Sequence, residues 1–282
     1  MRSEAYYKTK KATINLFIHL FLIAVAVTCI FPLLWMVSSS LKTQETVFKD
    51  MSLIPQSWNF INYYQAWIEG GFGRYFLNSV FYTVTVVMGI IFVSSLAAYA
   101  FSRLEFPGKN FIFYVFLAAM MIPVQGSFVP LYVLLNKLHL RDTRLGYVLA
   151  MINVGLSTSI FLLKTFFDKM PKEIEDAARI DGCTKFGIWW HVALPLAKPV
   201  LAVVVVYNAL NVWNEFMLAL IIFDNRALMP LQVGLISFQG EFVTRYPLLM
   251  AGLTIAALPV ILLYLAMQKY IIKGVTQGAI VG

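Results

Sequence analysis

Six apolar runs, each of more than twenty residues, constrain this sequence more than any other feature. An α-helix rises about 1.5 Å per residue, so about 20 apolar residues cross the roughly 30 Å hydrocarbon layer of a bilayer. Hydrophobic residues make up 60% of the chain and charged residues only 13%, whereas a soluble domain is about half apolar and about a quarter charged. We therefore predict an all-α membrane protein with one domain, residues 14–272. Its six transmembrane helices are predicted at 14–41, 76–101, 111–135, 145–167, 200–222 and 248–272.

The basic residues predict how these spans are oriented. Six spans put both termini on one side, and that side carries 14 of the 22 Lys and Arg residues. Because cytoplasmic segments carry the excess of Lys and Arg, residues 1–13 and 273–282 are predicted to be cytoplasmic. The basic start resembles a secretory signal, but the apolar run after it is too long for a cleavable one, so we expect it to be retained. Membrane orientation also accounts for the formal charge of +8, so nucleic acid is not an expected partner.

Catalytic and cofactor motifs are missing from the sequence. A phosphate-binding loop ends in Gly-Lys followed by Ser or Thr, and Gly108-Lys109-Asn110 lacks both the hydroxyl and the earlier glycine. The three His residues are dispersed, with no Cys or carboxylate cluster at metal-ligand spacing. We therefore predict a non-catalytic chain that binds no metal and no cofactor of its own.

A polar loop, residues 168–199, separates the fourth and fifth predicted spans. Pro171 suits the first position of a helix, and Glu173, Glu175 and Asp176 complement the positive end of its dipole. Gly182 is a typical C-terminal stop. The loop therefore begins with a short acidic helix.

A second short helix is predicted after Gly182. Thr184 can cap it, and Pro195 can end it. Phe186, Trp189, Trp190 and Ala193 follow at helical spacing and are predicted to share one face. Such an amphipathic helix can lie among lipid headgroups or can dock into a groove of a cytosolic partner, and periodicity favours neither.

Polar residues inside the fifth predicted span suggest a solute path. Asn208, Asn211 and Glu215 stand at i, i+3 and i+7, which places them on one face of a continuous helix, with Asn214 nearby. Polar groups within a membrane face other helices or a wet cavity, so interhelical hydrogen bonding is an equally weighted alternative. Asn153 and Gln125 are weaker candidates of the same kind.

The polar loop also resembles a known sequence signature. Residues 175–182 read Glu-Asp-Ala-Ala-Arg-Ile-Asp-Gly, and Leu194-Pro195 follows. This run is similar to the EAA loop of permease subunits of binding-protein-dependent ABC importers. The commonest pattern has Glu at the position of Asp176 and Ala at that of Cys183. Further similar segments indicate the MalG-type subunit of carbohydrate importers, and they lie at 62–63, 76–79, 97–102, 213–216 and 230–235 and near the end of the chain.

The resemblance implies that the loop is a coupling element seated in a separate ATPase subunit. Gly182 would permit the turn, the three acidic residues would meet basic or backbone donors, and the two alanines would allow close helix approach. The implied ATPase-coupling residues are Glu175, Asp176, Ala177, Ala178, Asp181, Gly182, Phe186, Trp189 and Pro195.

The resemblance further implies a set of partners and a cargo. The partners are a homologous second permease, two ATPase subunits that hold ATP and Mg, an extracytoplasmic solute-binding protein and membrane lipid. The location is the plasma (inner) membrane of a prokaryotic cell, and the cargo is a sugar or oligosaccharide. In maltose-type systems, however, the companion permease makes most of the direct sugar contacts. A peptide or polyol importer is the first alternative, and an ion-coupled secondary carrier is the second.

Overall fold

A computed structural model of the protein describes residues 2–236, 238 and 244–279, and this part of the chain contains helices and no strand. The all-helical prediction is therefore confirmed. Two 3-10 turns, at Val124–Ser127 and Arg226–Leu228, and two π turns, at Gln65–Glu69 and Trp189–Ala193, complete the set. The helices are α1 Arg2–Ser40, α2 Ile61–Tyr64, α3 Phe72–Arg103, α4 Lys109–Ala119, α5 Phe128–Lys137, α6 Arg144–Lys169, α7 Lys172–Ile180, α8 Lys185–Ile188, α9 Leu194–Leu196, α10 Lys198–Asn214, α11 Met217–Ile222, α12 Leu231–Ile236 and α13 Tyr246–Ala279.

Four single helices in the described ranges are long and apolar enough to cross a bilayer. They contain Thr13–Ser40, Phe72–Arg103, Arg144–Lys169 and Tyr246–Lys269. These segments match the first, second, fourth and sixth predicted spans. The protein is therefore a multi-pass membrane protein by the length and composition of its helices.

The other two predicted spans are interrupted. In 111–135, α4 and α5 are separated by a 3-10 turn that follows Pro123, whose missing backbone N–H disfavours a continuous helix. In 200–222, α10 ends at Asn214 and α11 begins at Met217. The expectation of one continuous helix at 200–222 is wrong, because Glu215 adopts an extended backbone with ψ of 131°.

The chain divides into two compact units. The first comprises residues 1–70 and 237–255, and the second comprises 71–236 and 256–282. In the first unit, Asn62 Nδ2 donates to the carbonyls of Ser40 and Lys42, at 2.8 and 2.9 Å, and so satisfies the C-terminal end of α1. The buried Lys42 ammonium donates to the carbonyl of Ser52 at 2.8 Å. These bonds order the connection after α1.

The second unit is built around α3, which packs against α6 and α10. A Cβ at Gly155 of α6 would overlap Ile90 of α3 and Asn208 of α10, so the glycine allows the three helices to converge. The rings of Tyr82, Tyr147 and Phe223 form a buried cluster with centroids 4.7 to 5.9 Å apart. Helix α3 is therefore the centre of this unit.

The first turns of α3 hold the segment 226–231 through hydrogen bonds. Asn78 Nδ2 donates to the carbonyls of Ala227 and Met229, at 2.8 and 3.0 Å. Tyr82 donates to the Leu228 carbonyl at 2.7 Å, and Ser79 Oγ accepts from the backbone of Leu231 at 2.8 Å. The segment is thus fixed to α3 even though it contains only a 3-10 turn.

Candidate functional site

The turn that ends α7 has the geometry that the sequence predicts. Gly182 has φ of +84°, in the left-handed region that favours glycine. The backbone N–H of Cys183 donates to Ala178 O, and that of Gly182 to Arg179 O, both at 3.0 Å. These two bonds form a Schellman motif, which closes the C-terminus of the helix.

The helix after this turn starts as predicted, with Thr184 Oγ1 accepting from the Gly187 N–H at 3.1 Å. Of the four apolar residues predicted to share one face, the Trp189 ring lies beside those of Phe186 and Trp190, with centroids 5.0 and 5.5 Å apart. Trp189 and Ala193 are buried, while Phe186 and Trp190 are 60% and 52% exposed. A π turn at Trp189–Ala193 widens the helix there and changes its register.

The second helical segment also extends beyond its predicted end. It continues to Leu196, one residue past Pro195, where the chain bends by 79° into α10. The bend lies at Ala197, which is buried.

Glu175 is held inside the protein and not on the exposed face of α7. Its carboxylate lies 2.6 Å from the guanidinium of Arg103, the last residue of α3, and the two side chains are 4% and 6% exposed. Tyr99 donates to the other carboxylate oxygen at 3.3 Å. A further nitrogen of Arg103 donates to the Met170 carbonyl, at 2.5 Å, just before α7. Within the chain, Glu175 therefore has Arg103 and Tyr99 as its partners.

The nine residues implied for coupling fall into two groups. Three are buried, namely Glu175, Ala178 and Trp189. Six are exposed, namely Asp176, Ala177, Asp181, Gly182, Phe186 and Pro195. The exposed group adjoins two apolar side chains, Trp190 and Ile180, of which Ile180 is 87% exposed and was not among the candidates from the sequence. Ile180 could have been found from its place next to Asp181 in the motif.

Arg103 is a second residue that sequence reasoning missed. A basic side chain directly after a span is interpreted as a signal of membrane orientation. Arg103 also lies 72 positions before Glu175 in the sequence. Nothing in the local pattern identifies a partner at that separation.

Two of the polar residues proposed for the solute path are bonded within the bundle. Asn208 is buried, and its Nδ2 donates to Ser159 Oγ of α6 at 2.9 Å and to Val204 O at 2.8 Å. Glu215 accepts from the backbone N–H of Leu218 at 2.6 Å and from Tyr147 OH at 3.1 Å. Glu215 therefore caps α11, and Asn208 joins α10 to α6.

The predicted polar stripe does not extend to Glu215, because α10 ends at Asn214. The remaining candidates, Asn211, Asn214, Asn153 and Gln125, are exposed in the chain by itself. Asn214 donates to Leu210 O at 2.9 Å and accepts from Gln232 at 3.4 Å. As lining of a solute path, these four stay predictions.

We expect Asn208→Ala to lower the stability of the permease by on the order of 1 kcal/mol, the size of a hydrogen bond between membrane helices. Its Ser159 partner keeps a bond to Gly155 O at 2.7 Å, which limits the loss. Thermal unfolding in detergent measures the change. Asn211→Ala is the control, because Asn211 lies in the same helix and is exposed. Equal midpoints for the two variants would contradict the interhelical role of Asn208.

In the part of the chain that the structure describes, no three His, Cys, Asp or Glu side chains converge as metal ligands do. Polar groups at the breaks within 111–135 and 200–222 and in the loop 168–199 instead cap helices, join neighbouring helices or lie on the surface. Their arrangement suits a membrane subunit that contacts partners.

Comparison with known proteins identifies the kind of membrane subunit. Residues 90–277 match the family described as "Binding-protein-dependent transport system inner membrane component". The probable ABC transporter permease protein YurM of Bacillus subtilis is 38% identical over 272 residues, which are 96% of this chain and 89% of that protein. The diacetylchitobiose uptake system permease protein NgcG of Streptomyces coelicolor is 34% identical over 92% of this chain and 87% of its own length.

A solved structure has the same fold. A chain of a bacterial ABC transporter that imports the acidic polysaccharide alginate superposes with a TM-score of 0.81, covering 91% of this chain and 96% of that one, at 23% identity. The family match, the permease relatives and the fold agree with the resemblance of the 168–199 loop. This chain therefore belongs to the inner membrane components of binding-protein-dependent transport systems, which are ABC transporter permeases and not enzymes.

Proposed function

We propose that the chain is the permease subunit of an ATP-driven importer for a sugar or oligosaccharide. One observation carries the choice of cargo: several relatives that match over 90% or more of this chain are named for transport or uptake of carbohydrates or their derivatives. They include permeases for diacetylchitobiose, for arabinooligosaccharides, for sulfoquinovosyl glycerol and for starch degradation products.

The proposed topology has six crossings with both termini in the cytoplasm. Four crossings are the long single helices, and the other two are the interrupted pairs α4–α5 and α10–α11. The distribution of Lys and Arg supports this orientation. In the proposed topology, the loop 168–199 lies on the cytoplasmic side and is a helical coupling hairpin. Interrupted helices are tolerated at membrane depth where they are buried in protein or line a cavity.

The loop 168–199 is proposed to dock on an ATPase subunit that binds ATP and Mg. The docking surface consists of the exposed side of α7, α8 and the π turn that follows α8, with Asp176, Ile180, Phe186 and Trp190 as its main side chains. Exposed apolar residues beside an acidic one suit recognition in a groove of a partner. The resemblance of residues 175–182 to the EAA loop supports docking over a headgroup location.

The solute path is proposed to form between this chain and a homologous second permease. Asn211 and Asn153 are exposed polar residues on α10 and α6, and such residues in a membrane are costly unless a wet cavity or a partner covers them. An extracytoplasmic binding protein delivers the solute on the other side. An importer of a polyol or peptide shares this arrangement, and a secondary carrier does not need the ATPase.

The test is ATPase activity of the reconstituted four-subunit complex with its binding protein, measured across oligosaccharides, monosaccharides, polyols and dipeptides. We expect stimulation by the binding protein loaded with at least one oligosaccharide and none with dipeptides. Stimulation by dipeptides alone would overturn the carbohydrate assignment. Solute uptake by the permease without any ATPase subunit would show a secondary carrier.

A further inference from the structure

A buried ion pair joins α7 to α3. The loop 168–199 is continuous with α6 and α10 through the chain, and Arg103 and Glu175 add a connection to a third helix. The same guanidinium also binds the Met170 carbonyl, so both the entry to α7 and its first turn are held by one residue. The contact fixes the position of α7 against the end of α3.

The pair is set apart from the other charges of the loop by its burial. Arg179 approaches Glu175 at 3.9 Å and Asp176 at 3.0 Å, but its side chain is 54% exposed, so water screens both contacts. Arg103 and Glu175 are both almost fully enclosed, where Coulomb attraction is much stronger and where an unpaired charge is costly. The geometry makes Arg103 the main counter-ion of Glu175.

The N-terminal end of α3 is also attached to another part of the chain. Its first turns bind the segment 226–231 through Asn78, Ser79 and Tyr82. Helix α3 has 32 residues, and the 25 steps from Asn78 to Arg103 span about 38 Å. Arg103 belongs to the last turn and Asn78 to the second, so one rigid helix connects the 168–199 loop to the segment 226–231.

We propose that Arg103 is a positioning residue for coupling: its buried ion pair with Glu175 makes α7 and α3 move as one body, so that α3 carries motion between the 168–199 loop and the segment 226–231. This inference rests on the proposed function, since it assumes that α7 docks on the ATPase. It assigns Glu175 to the permease itself, while the exposed Asp176, paired with the exposed Arg179, is accessible to the partner. Coupling then depends on a residue that touches neither the ATPase nor the solute.

The experiment is charge reversal and restoration in the complete transporter with its binding protein. Three forms are compared with the wild type: Arg103→Glu, Glu175→Arg, and the two together. For each, the amount of ATPase subunit that copurifies with the permease and the ratio of binding-protein-stimulated to basal ATPase activity are measured. We expect each single reversal to reduce the stimulation ratio at least tenfold, and the double reversal to restore at least a third of it, because the ion pair re-forms with its charges exchanged.

Two further variants make the result decisive. Glu105→Gln is the matched control, since Glu105 pairs with Lys109 at 3.1 Å close to the same end of α3 but its side chain is 91% exposed. We expect Glu105→Gln to leave the ratio unchanged. If a single reversal does not assemble, the near-isosteric variant Glu175→Gln is used in its place. We expect the stimulation ratio of the assembled Glu175→Gln complex to fall threefold or more, and that loss supports the proposal.

Full stimulation in the single reversals, or in an assembled Glu175→Gln complex, overturns the role of the pair. So does a double reversal that assembles normally and stays unstimulated. A wild-type complex that the binding protein does not stimulate contradicts the proposed function itself, and it is thereby distinguished from failure of this inference.

Discussion

Uptake of the solute is expected to fall at least tenfold in Gly182→Leu, while the permease still inserts into the membrane and assembles. Gly182 has φ of +84°, where a residue with a Cβ is strained by about 1–2 kcal/mol. The space around its Cβ position is open within the chain, so the strain comes from the backbone and from the new side chain on the exposed surface. Solute uptake and ATPase activity are both measured in the reconstituted transporter, so that loss of transport can be compared with any change in ATP hydrolysis.

Gly108→Leu provides a control with the same kind of backbone. Gly108 has φ of +78° and precedes α4, outside the 168–199 loop. Gly108→Leu should destabilise the permease about as much as Gly182→Leu does, but it should leave coupling of ATP hydrolysis to transport intact. Gly182→Asn should be milder than Gly182→Leu, because Asn tolerates the left-handed region better than other residues with a Cβ. Normal transport by Gly182→Leu would remove the basis for assigning the loop to coupling.

The second large effect is expected for Gly146→Ala, which should destabilise the permease by about 3 kcal/mol, the upper part of the range for overpacking. The added Cβ would overlap the backbone carbonyl oxygen of Leu140, which cannot rotate away as a side chain can. The loop 140–143 would have to move, and Asp142 of that loop accepts from the backbone of Asp224 and Asn225, both at 3.0 Å. Thermal unfolding in detergent and the yield of membrane-inserted protein report the loss.

Gly126→Ala is the control for this substitution, since a Cβ at Gly126 has open space around it. Its unfolding midpoint should stay within a degree or two of the wild type. Gly146→Ala with wild-type stability would mean that the packing of the start of α6 against Leu140 is looser than the structure shows.

Features that depend on local chemistry were predictable from the sequence. The apolar runs identified four spans because bilayer thickness sets their length. The break in the run 111–135 follows Pro123, which lacks a backbone N–H. Thr184 and Gly182 were identified as cap and stop because each acts on backbone groups within a few residues. The family likewise follows from a contiguous motif.

Features that depend on a partner far along the chain were not predictable. Asn208, Asn211 and Glu215 have the spacing of one helical face, yet Glu215 turns to cap α11 and Asn208 turns to Ser159. A polar side chain in a low-dielectric interior takes whichever partner satisfies it, and the partner is set by how the helices converge. An inference from sequence periodicity assumes a continuous helix, so it does not detect a break such as the one that Glu215 stabilises by capping α11.

The sequence by itself determined that this chain is a helical, multi-pass membrane protein and that its polar loop has the signature of a permease. Both follow from hydrophobic length and from short-range motifs. Only the tertiary structure decided that Glu175 faces Arg103 across 72 residues and that Trp189 is buried while Phe186 is not. The physical reason is that the pairing of buried charges and the register of a π turn are settled by packing between distant elements.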